Sequence, residues 1–216
     1  MKMNRSNYDQ TLSEIQADLI RMGNLALEMV ELAVQSALND DKEVAGRVNE
    51  LERQIDEAEV ALTDKIVLTM VKESPVARDL LFLTSTLGVV AEIEKAGDDA
   101  AKLGRRSFKL QVTFPENLKD LLAEMDRDTR ANFRAALQLY TQYSTEAATA
   151  LIKSDEVVDK QYKKSRRALL EMIVEQPEKK RQLFRCSEIF HALEHIADHA
   201  ANIARTMNVF YKKYAR

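Results

Sequence analysis

Four pairs of acidic residues in this chain have a spacing that would allow their carboxylates to bind a metal ion together. In each pair an acidic residue is followed four positions later by Asp; the pairs are Glu52/Asp56, Glu94/Asp98, Asp155/Asp159 and Glu194/Asp198. On a helix this spacing puts both carboxylates on one face, about 6 Å apart. Two such pairs on neighbouring helices can surround a hard cation with oxygen ligands. One interpretation of these pairs is therefore a metal site in each half of the chain.

Two of these pairs belong to an internal repeat. The repeat aligns residues 89–106, VVAEIEKAGDDAAKLGRR, with residues 189–206, IFHALEHIADHAANIART, at an offset of 100 and without a gap. The matched residues include Glu94 with Glu194, Asp98 with Asp198, and Arg105 with Arg205. Self-similarity at a fixed offset indicates a chain built from two copies of one unit.

Acidic pairs of this kind are also common on ordinary solvated helix faces. We assign three further pairs to such faces: Glu14/Asp18, Glu116/Asp120 and Glu124/Asp128. For the four pairs above, a metal site and a solvated face both remain open. Asp155 is the weakest candidate, because Ser154 and Asp155 also have the residue types of a helix cap.

All three histidines lie on one predicted helix, spaced four residues apart as His191, His195 and His199. At about 100° per residue they share a stripe with the acidic pair of that helix, and we predict that the stripe faces away from the bundle core. It could offer nitrogen ligands to a transition metal, or it could be a wet face with titratable imidazoles. The first half has no histidine, so a metal site there would have oxygen ligands only; the equivalent residues are Ala91, Lys95 and Asp99.

Other chemistry has little support in the sequence. There is no glycine-rich phosphate loop and no nucleophile elbow. A ferritin-like di-iron site needs two Glu-x-x-His motifs, and only Glu188–His191 matches. The single cysteine, Cys186, is expected to be a packed small residue. Basic residues on both sides of Pro177 could form a docking patch for an acidic partner or could be exposed helix ends.

Composition indicates an all-α protein of the cytoplasm. The 216 residues include only five Gly and three Pro, and 31% of them are charged. Residues 1–108 carry 13 basic and 20 acidic residues, a net charge of −7, whereas the remainder carries 19 and 15, a net charge of +4. This balance argues against a nucleic-acid binder. We expect no signal peptide and no transmembrane segment, so that any membrane association would be peripheral and through partners.

Apolar periodicity and breaks predict six helices. Their expected spans are about 11–39, 44–72, 76–109, 116–153, 154–175 and 178–211, with capping boxes at 40–43 and 113–116. Short connections place consecutive helices antiparallel. We therefore predict an all-α fold of two tandem antiparallel three-helix bundles, with domains at residues 1–110 and 111–216.

The segments Glu94-Lys-Ala-Gly-Asp98 and Leu193-Glu-His-Ile-Ala-Asp198 resemble the duplicated signature of the PhoU family, whose usual form is close to Leu-Glu-Arg-Ile-Gly-Asp. The first copy has Lys95 at the Arg position, and the second has His195 there and Ala197 in place of Gly. The resemblance covers nearly the whole chain in length, order and duplication. It implies two three-helix bundles and metal binding at the acidic motifs.

The resemblance further implies a non-enzymatic negative regulator of phosphate uptake and phosphate-starvation signalling. Such an adaptor links the ATPase subunit of a phosphate ABC transporter to a phosphate-sensing histidine kinase, commonly as a homodimer. The candidate cofactors are divalent or trivalent metal ions, namely Fe, Zn, Mn or Mg, and the sequence does not specify which of them binds. Two alternatives stay open, namely a metal-binding PhoU-like accessory protein for another permease and a metal-dependent helical-bundle enzyme.

Overall fold

The computed structural model describes residues 5–39, 44–75, 77–109 and 114–214. These form six α-helices and a short 3₁₀ turn at Pro177–Lys179. The helices are α1 (Arg5–Asn39), α2 (Val44–Glu73), α3 (Arg78–Lys109), α4 (Glu116–Thr141), α5 (Thr145–Glu175) and α6 (Lys180–Tyr214). No strand occurs in these ranges, and the predicted all-α fold is confirmed.

Helices α1 to α3 form one three-helix bundle, and α4 to α6 form the other. The two bundles are joined by α3 packed against α6 and by α1 packed against α4. As a result, one continuous apolar core runs through both halves of the chain. The predicted domain boundary at 110/111 lies outside the described residues, as does the capping box at 40–43.

The start of α5 was predicted wrongly. The sequence reading extended the fourth helix to 153, but α4 ends at Thr141 and α5 begins at Thr145. Ser144 caps α5, because its hydroxyl accepts a hydrogen bond from the Ala147 amide at 3.2 Å. Ser154 instead lies inside α5 and donates to the Leu151 carbonyl at 2.8 Å. The true break has no Gly or Pro to announce it, which is why the sequence did not reveal it.

The two proline breaks were predicted correctly. Pro75 lies in the turn between α2 and α3, and Pro177 opens the 3₁₀ turn before α6. Ser74 and Ala77 both have φ near 44°, in the left-handed region. The turn therefore reverses the chain with two non-glycine residues in a strained conformation.

Helices α3 and α6 pack antiparallel and exchange equivalent contacts. Arg106 of α3 forms an ion pair with Glu188 of α6 at 2.9 Å. Under the offset of 100, the equivalent contact joins Gly88 to Thr206, and these two residues are indeed neighbours. Asp99 and His199, which are equivalent to each other, also meet at this interface at 3.4 Å. The two halves are thus related by an approximate two-fold axis between α3 and α6.

Close approach of α2 and α3 depends on Gly104. A methyl group added at this buried position would lie 2.9 Å from Cγ1 of Val48 and 3.0 Å from its Cγ2. Because a β-branched side chain in a helix has one strongly preferred rotamer, Val48 has little freedom to move aside. We therefore expect Gly104→Ala to lower the free energy of unfolding by about 1–3 kcal/mol, measured by urea denaturation.

Gly88 provides the matched control on the same helix. An added methyl there meets only Thr206 Cγ2, at an ordinary contact distance of 3.9 Å. Gly88→Ala is expected to stabilise the protein by about 0.5–1 kcal/mol, because alanine has the higher helix propensity. Equal effects of the two substitutions would contradict the assigned packing.

Candidate functional site

The first acidic cluster lies between α2 and α3 and contains Glu52, Asp56, Glu94 and Asp98. Helix α2 presents the first two residues and α3 the last two, as the i,i+4 spacing predicts. Burial raises the pKa of Asp56, and the charges of Glu52 and Asp98 raise it further. The pKa of Glu94 is raised by burial and then by the charge of Asp98. The negative charges of the four carboxylates are therefore close enough to act on one another.

The second acidic cluster has the equivalent position between α5 and α6 and contains Asp155, Asp159, Glu194 and Asp198. Burial, followed by the charges of Asp198 and Asp159, raises the pKa of Asp155 to about 6. Burial and Asp198 likewise raise the pKa of Glu194. The predicted cap role of Asp155 is wrong, since this residue is buried inside α5.

One arginine serves each cluster at the same position of the repeat. In the first half, Arg105 donates two hydrogen bonds to Glu52, at 2.7 and 2.8 Å. In the second half, Arg205 lies 3.5 Å from Asp155. A lysine also lies near a second carboxylate of each cluster, with Lys102 3.9 Å from Asp98 and Lys163 4.0 Å from Asp159. The cations nevertheless compensate the four carboxylates of each cluster only in part.

The carboxylate oxygens of each cluster are donors of the type that divalent cations bind, although in the described part of the chain no three carboxylates of either cluster have ligand atoms within 4.8 Å of one another. Carboxylates whose pKa values are raised by their neighbours' charges gain most when a cation neutralises them. Such oxygen donors suit Mg²⁺, Mn²⁺ or a harder ion. The pair Glu14/Asp18 provides the contrast, because Lys65 of α2 already lies 3.1 and 3.0 Å from its two carboxylates. Glu14 and Asp18 therefore form salt bridges between α1 and α2, as expected for an acidic pair that does not bind a metal ion.

The histidine stripe does not simply face solvent, which corrects the sequence-based prediction. His199 is directed at α3, where its Nδ1 lies 2.8 Å from Glu92 and its Nε2 3.4 Å from Asp99. Asn202 donates to the same Glu92 carboxylate at 3.0 Å. These residues are largely buried between the two halves, with 16% of the His199 side chain and 15% of the Glu92 side chain exposed. We call them the interhalf network.

Sequence reasoning missed Glu92 and Asp99 as members of this network. Neither residue has an acidic neighbour four positions away, and this spacing is the pattern that identified the other candidate carboxylates. A signal did exist, because Asp99 is the equivalent of His199 in the repeat. Equivalent positions meet each other at a two-fold axis, so an acid in one repeat and a base in the other can form an ion pair there.

The one cysteine of the chain, Cys186, lies in the apolar core. Its side chain is fully buried, as predicted for a packed small residue, and burial raises the pKa of its thiol to about 12. Across the described part of the chain, no helix is both long enough and apolar enough to cross a membrane.

Comparisons with known proteins identify the fold family. The chain matches the PhoU domain family model twice, at residues 19–107 and 122–207. The phosphate-specific transport system accessory protein PhoU homolog of Pseudomonas putida is 27% identical over 199 residues, covering 91% of this chain and 77% of that protein. The homolog of Xylella fastidiosa strain 9a5c is 29% identical over 204 residues, covering 93% and 85%.

Solved structures give the same result. The crystal structure of PhoU from Pseudomonas aeruginosa superposes with a TM-score of 0.90 at 25% identity, covering 95% of this chain and 99% of that one. The phosphate transport system regulatory protein PhoU of Streptococcus pneumoniae shares the fold, with a TM-score of 0.82 at 21% identity and coverage of 94% and 96%. The duplicated match, over both three-helix bundles and both acidic clusters, places this chain in the PhoU family.

Proposed function

We propose that this protein is a negative regulator of phosphate uptake and phosphate-starvation signalling. In this role it acts as a non-enzymatic adaptor between the ATPase subunit of a phosphate ABC transporter and a phosphate-sensing histidine kinase. The observation that carries the proposal is the family match in both halves, together with the relatives named as accessory proteins of phosphate-specific transport.

The surface of the molecule supports an adaptor with two docking faces. Each half leaves apolar side chains exposed near the end of its second helix, and the exposed residues are Val67 and Val71 in α2 and Leu170 and Val174 in α5. They are related by an offset of 103, which also relates Glu52 to Asp155 and Asp56 to Asp159. In each half the two side chains are four residues apart and so lie on one face of the helix, and contiguous exposed apolar groups mark protein interaction sites.

Alkaline phosphatase activity in a deletion strain grown with ample phosphate tests the proposal. We expect high activity in the deletion strain and low activity when the gene is restored. Unchanged activity would contradict the regulatory role and favour an accessory role for another permease.

The adaptor role is tested separately by co-purification with the transporter ATPase and the kinase. We also propose that the protein is a homodimer. Light scattering measures its mass in solution, and a monomeric mass would contradict the homodimer.

We further propose that each acidic cluster binds a divalent cation, with Mn, Fe, Zn and Mg as the candidate ions. The support is electrostatic, because burial and the charges of neighbouring carboxylates raise the pKa values of Asp56 and Glu94 in the first cluster and of Asp155 and Glu194 in the second. Bound cation would relieve this repulsion and order the surface on which a partner docks.

Titration calorimetry of the full chain with each ion measures cation binding directly. Replacement of Glu94 by Gln together with Asp98 by Asn should abolish binding at the first cluster and leave the second cluster intact. The matched control is Glu14→Gln with Asp18→Asn, which should leave binding unchanged because Lys65 already neutralises that pair. Equal heats in the wild type and in the Glu94/Asp98 variant would contradict cation binding at the first cluster.

A further inference from the structure

Three side chains of α6 bring nitrogen and oxygen donors to one point. His191, Glu194 and His195 each offer one ligand atom, and these atoms all lie within 4.8 Å of one another. The two imidazole rings have centroids 4.0 Å apart. A tetrahedral metal ion with bonds of about 2.0–2.2 Å holds its ligands roughly 3–3.5 Å apart. Small side-chain rotations would therefore close the three donors around one ion.

The orientation of His195 suits a metal ligand. Its Nε2 lies on the side of Glu194, 3.7 Å from the carboxylate, and its Nδ1 lies 3.5 Å from Asp99 of α3. In metal sites a ligating histidine usually donates a hydrogen bond from its second ring nitrogen to a carboxylate, a backbone carbonyl or water. This hydrogen bond fixes the tautomer and the ring orientation. Asp99 is 8% exposed and bonded to Lys102 at 2.9 Å, so it is held in place to do this.

The rest of the surroundings distinguishes this point from the first half of the chain. The Tyr162 ring of α5 packs against His191 with centroids 5.6 Å apart, where the first half has Glu59 at the equivalent position. The equivalents of the two histidines are Ala91 and Lys95, the second of which is a cation. A mixed nitrogen and oxygen donor set is therefore confined to the second half.

We propose that His191, Glu194 and His195 form a transition-metal site that binds Zn²⁺, with its fourth position open to water or an external ligand. Two imidazoles and one carboxylate favour Zn²⁺ over Mg²⁺, which prefers oxygen ligands only. The proposal extends the cation binding proposed above, since Glu194 belongs to both sets, but it requires no role in phosphate regulation.

Titration with Co²⁺, a spectroscopic substitute for Zn²⁺, tests the site in full-length protein produced without a histidine tag. We expect the visible bands of tetrahedral Co²⁺ at one equivalent per chain. Stoichiometric Zn²⁺ should displace Co²⁺, whereas Mg²⁺ should do so only in large excess, through competition for the shared Glu194. His191→Ala and His195→Ala should each weaken Co²⁺ binding at least about tenfold, and Asp99→Asn should weaken it about 10- to 100-fold through the orientation of His195.

Two controls separate this site from the other proposals. The variant with Glu94→Gln and Asp98→Asn should keep the Co²⁺ bands, because the first cluster supplies none of the three ligands. His199→Gln should also keep them, since the His199 nitrogens already face Glu92 and Asp99. Absence of the bands in the wild type, or equal Co²⁺ affinity in the His191→Ala/His195→Ala double variant, would overturn the proposal.

Discussion

Replacing Asp155 by asparagine is expected to stabilise the cation-free protein by about 2–3 kcal/mol at neutral pH. The pKa of this carboxyl is about 6 in the folded protein, against an ordinary value of 3.8, because it is buried next to Asp198 and Asp159. Each pKa unit corresponds to about 1.4 kcal/mol between the two protonation states. Ionised Asp155 therefore opposes folding, and an uncharged side chain of the same shape removes this penalty.

The pH dependence gives this prediction its sign. An acid whose pKa is raised by folding destabilises the protein above its folded pKa, and the penalty disappears as the carboxyl becomes protonated. Wild-type protein should thus gain a component of stability as the pH falls from 7 through 6 towards 4, and the Asp155→Asn variant should lack it. Urea denaturation at several pH values measures this difference.

Asp159→Asn is the matched control, because this side chain is 41% exposed and its ionised form is better solvated. We expect a smaller gain in stability from it than from Asp155→Asn. Lower stability of Asp155→Asn at pH 7 would show that its contact with Arg205 outweighs the repulsion, and would contradict the electrostatic account of the second cluster.

The second large effect is expected at the interhalf network. Alanine at Glu92 or at His199 should cost about 1–3 kcal/mol each, because either change removes the 2.8 Å partner of a largely buried group. Glu92 would still have Asn202 and Lys95, and His199 would still have Asp99. The double variant should cost less than the sum, with a coupling energy of about 1–3 kcal/mol. Lys95→Ala is the control for an exposed contact to the same carboxylate. Lys95 lies 3.0 Å from Glu92 but is 54% exposed, and its loss should cost less than about 1 kcal/mol.

This coupling should depend on pH. Burial lowers the pKa of His199, but its bonds to Asp99 and Glu92 raise it to a net value above the ordinary 6.5. The bond with His199 helps to hold the pKa of Glu92 below the ordinary 4.5, despite the opposing effect of burial. The ion pair therefore stabilises the protein fully between pH 4.5 and 6.5, the ordinary pKa values of the two groups. The stabilisation is lost as the pH rises through the folded pKa of His199, and it is also lost as the pH falls through the folded pKa of Glu92. A coupling energy that does not change with pH would contradict the charged pair.

Residues with strong local patterns were predictable from the sequence. The acidic pairs lie where their i,i+4 spacing and the repeat placed them, and the breaks at Pro75 and Pro177 follow from the lost amide hydrogen of proline. The break before α5 was not predictable, because the cap is a single serine among residues that also suit a helix. The interhalf network was missed for another reason: it depends on how one bundle faces the other, and helical periodicity cannot specify this.

Asp99 and His199 show that the two halves are no longer interchangeable. Two copies of the first half, joined through the α3 face, would bring Asp99 against Asp99, and two copies of the second half would bring His199 against His199. Only the fused chain sets an acid opposite a base at this point, 3.4 Å apart. If the chain arose from a single bundle that paired with itself, duplication freed the two sides of the axis to diverge into complementary partners. Swapping either half for a second copy of the other would therefore replace an ion pair with a like pair.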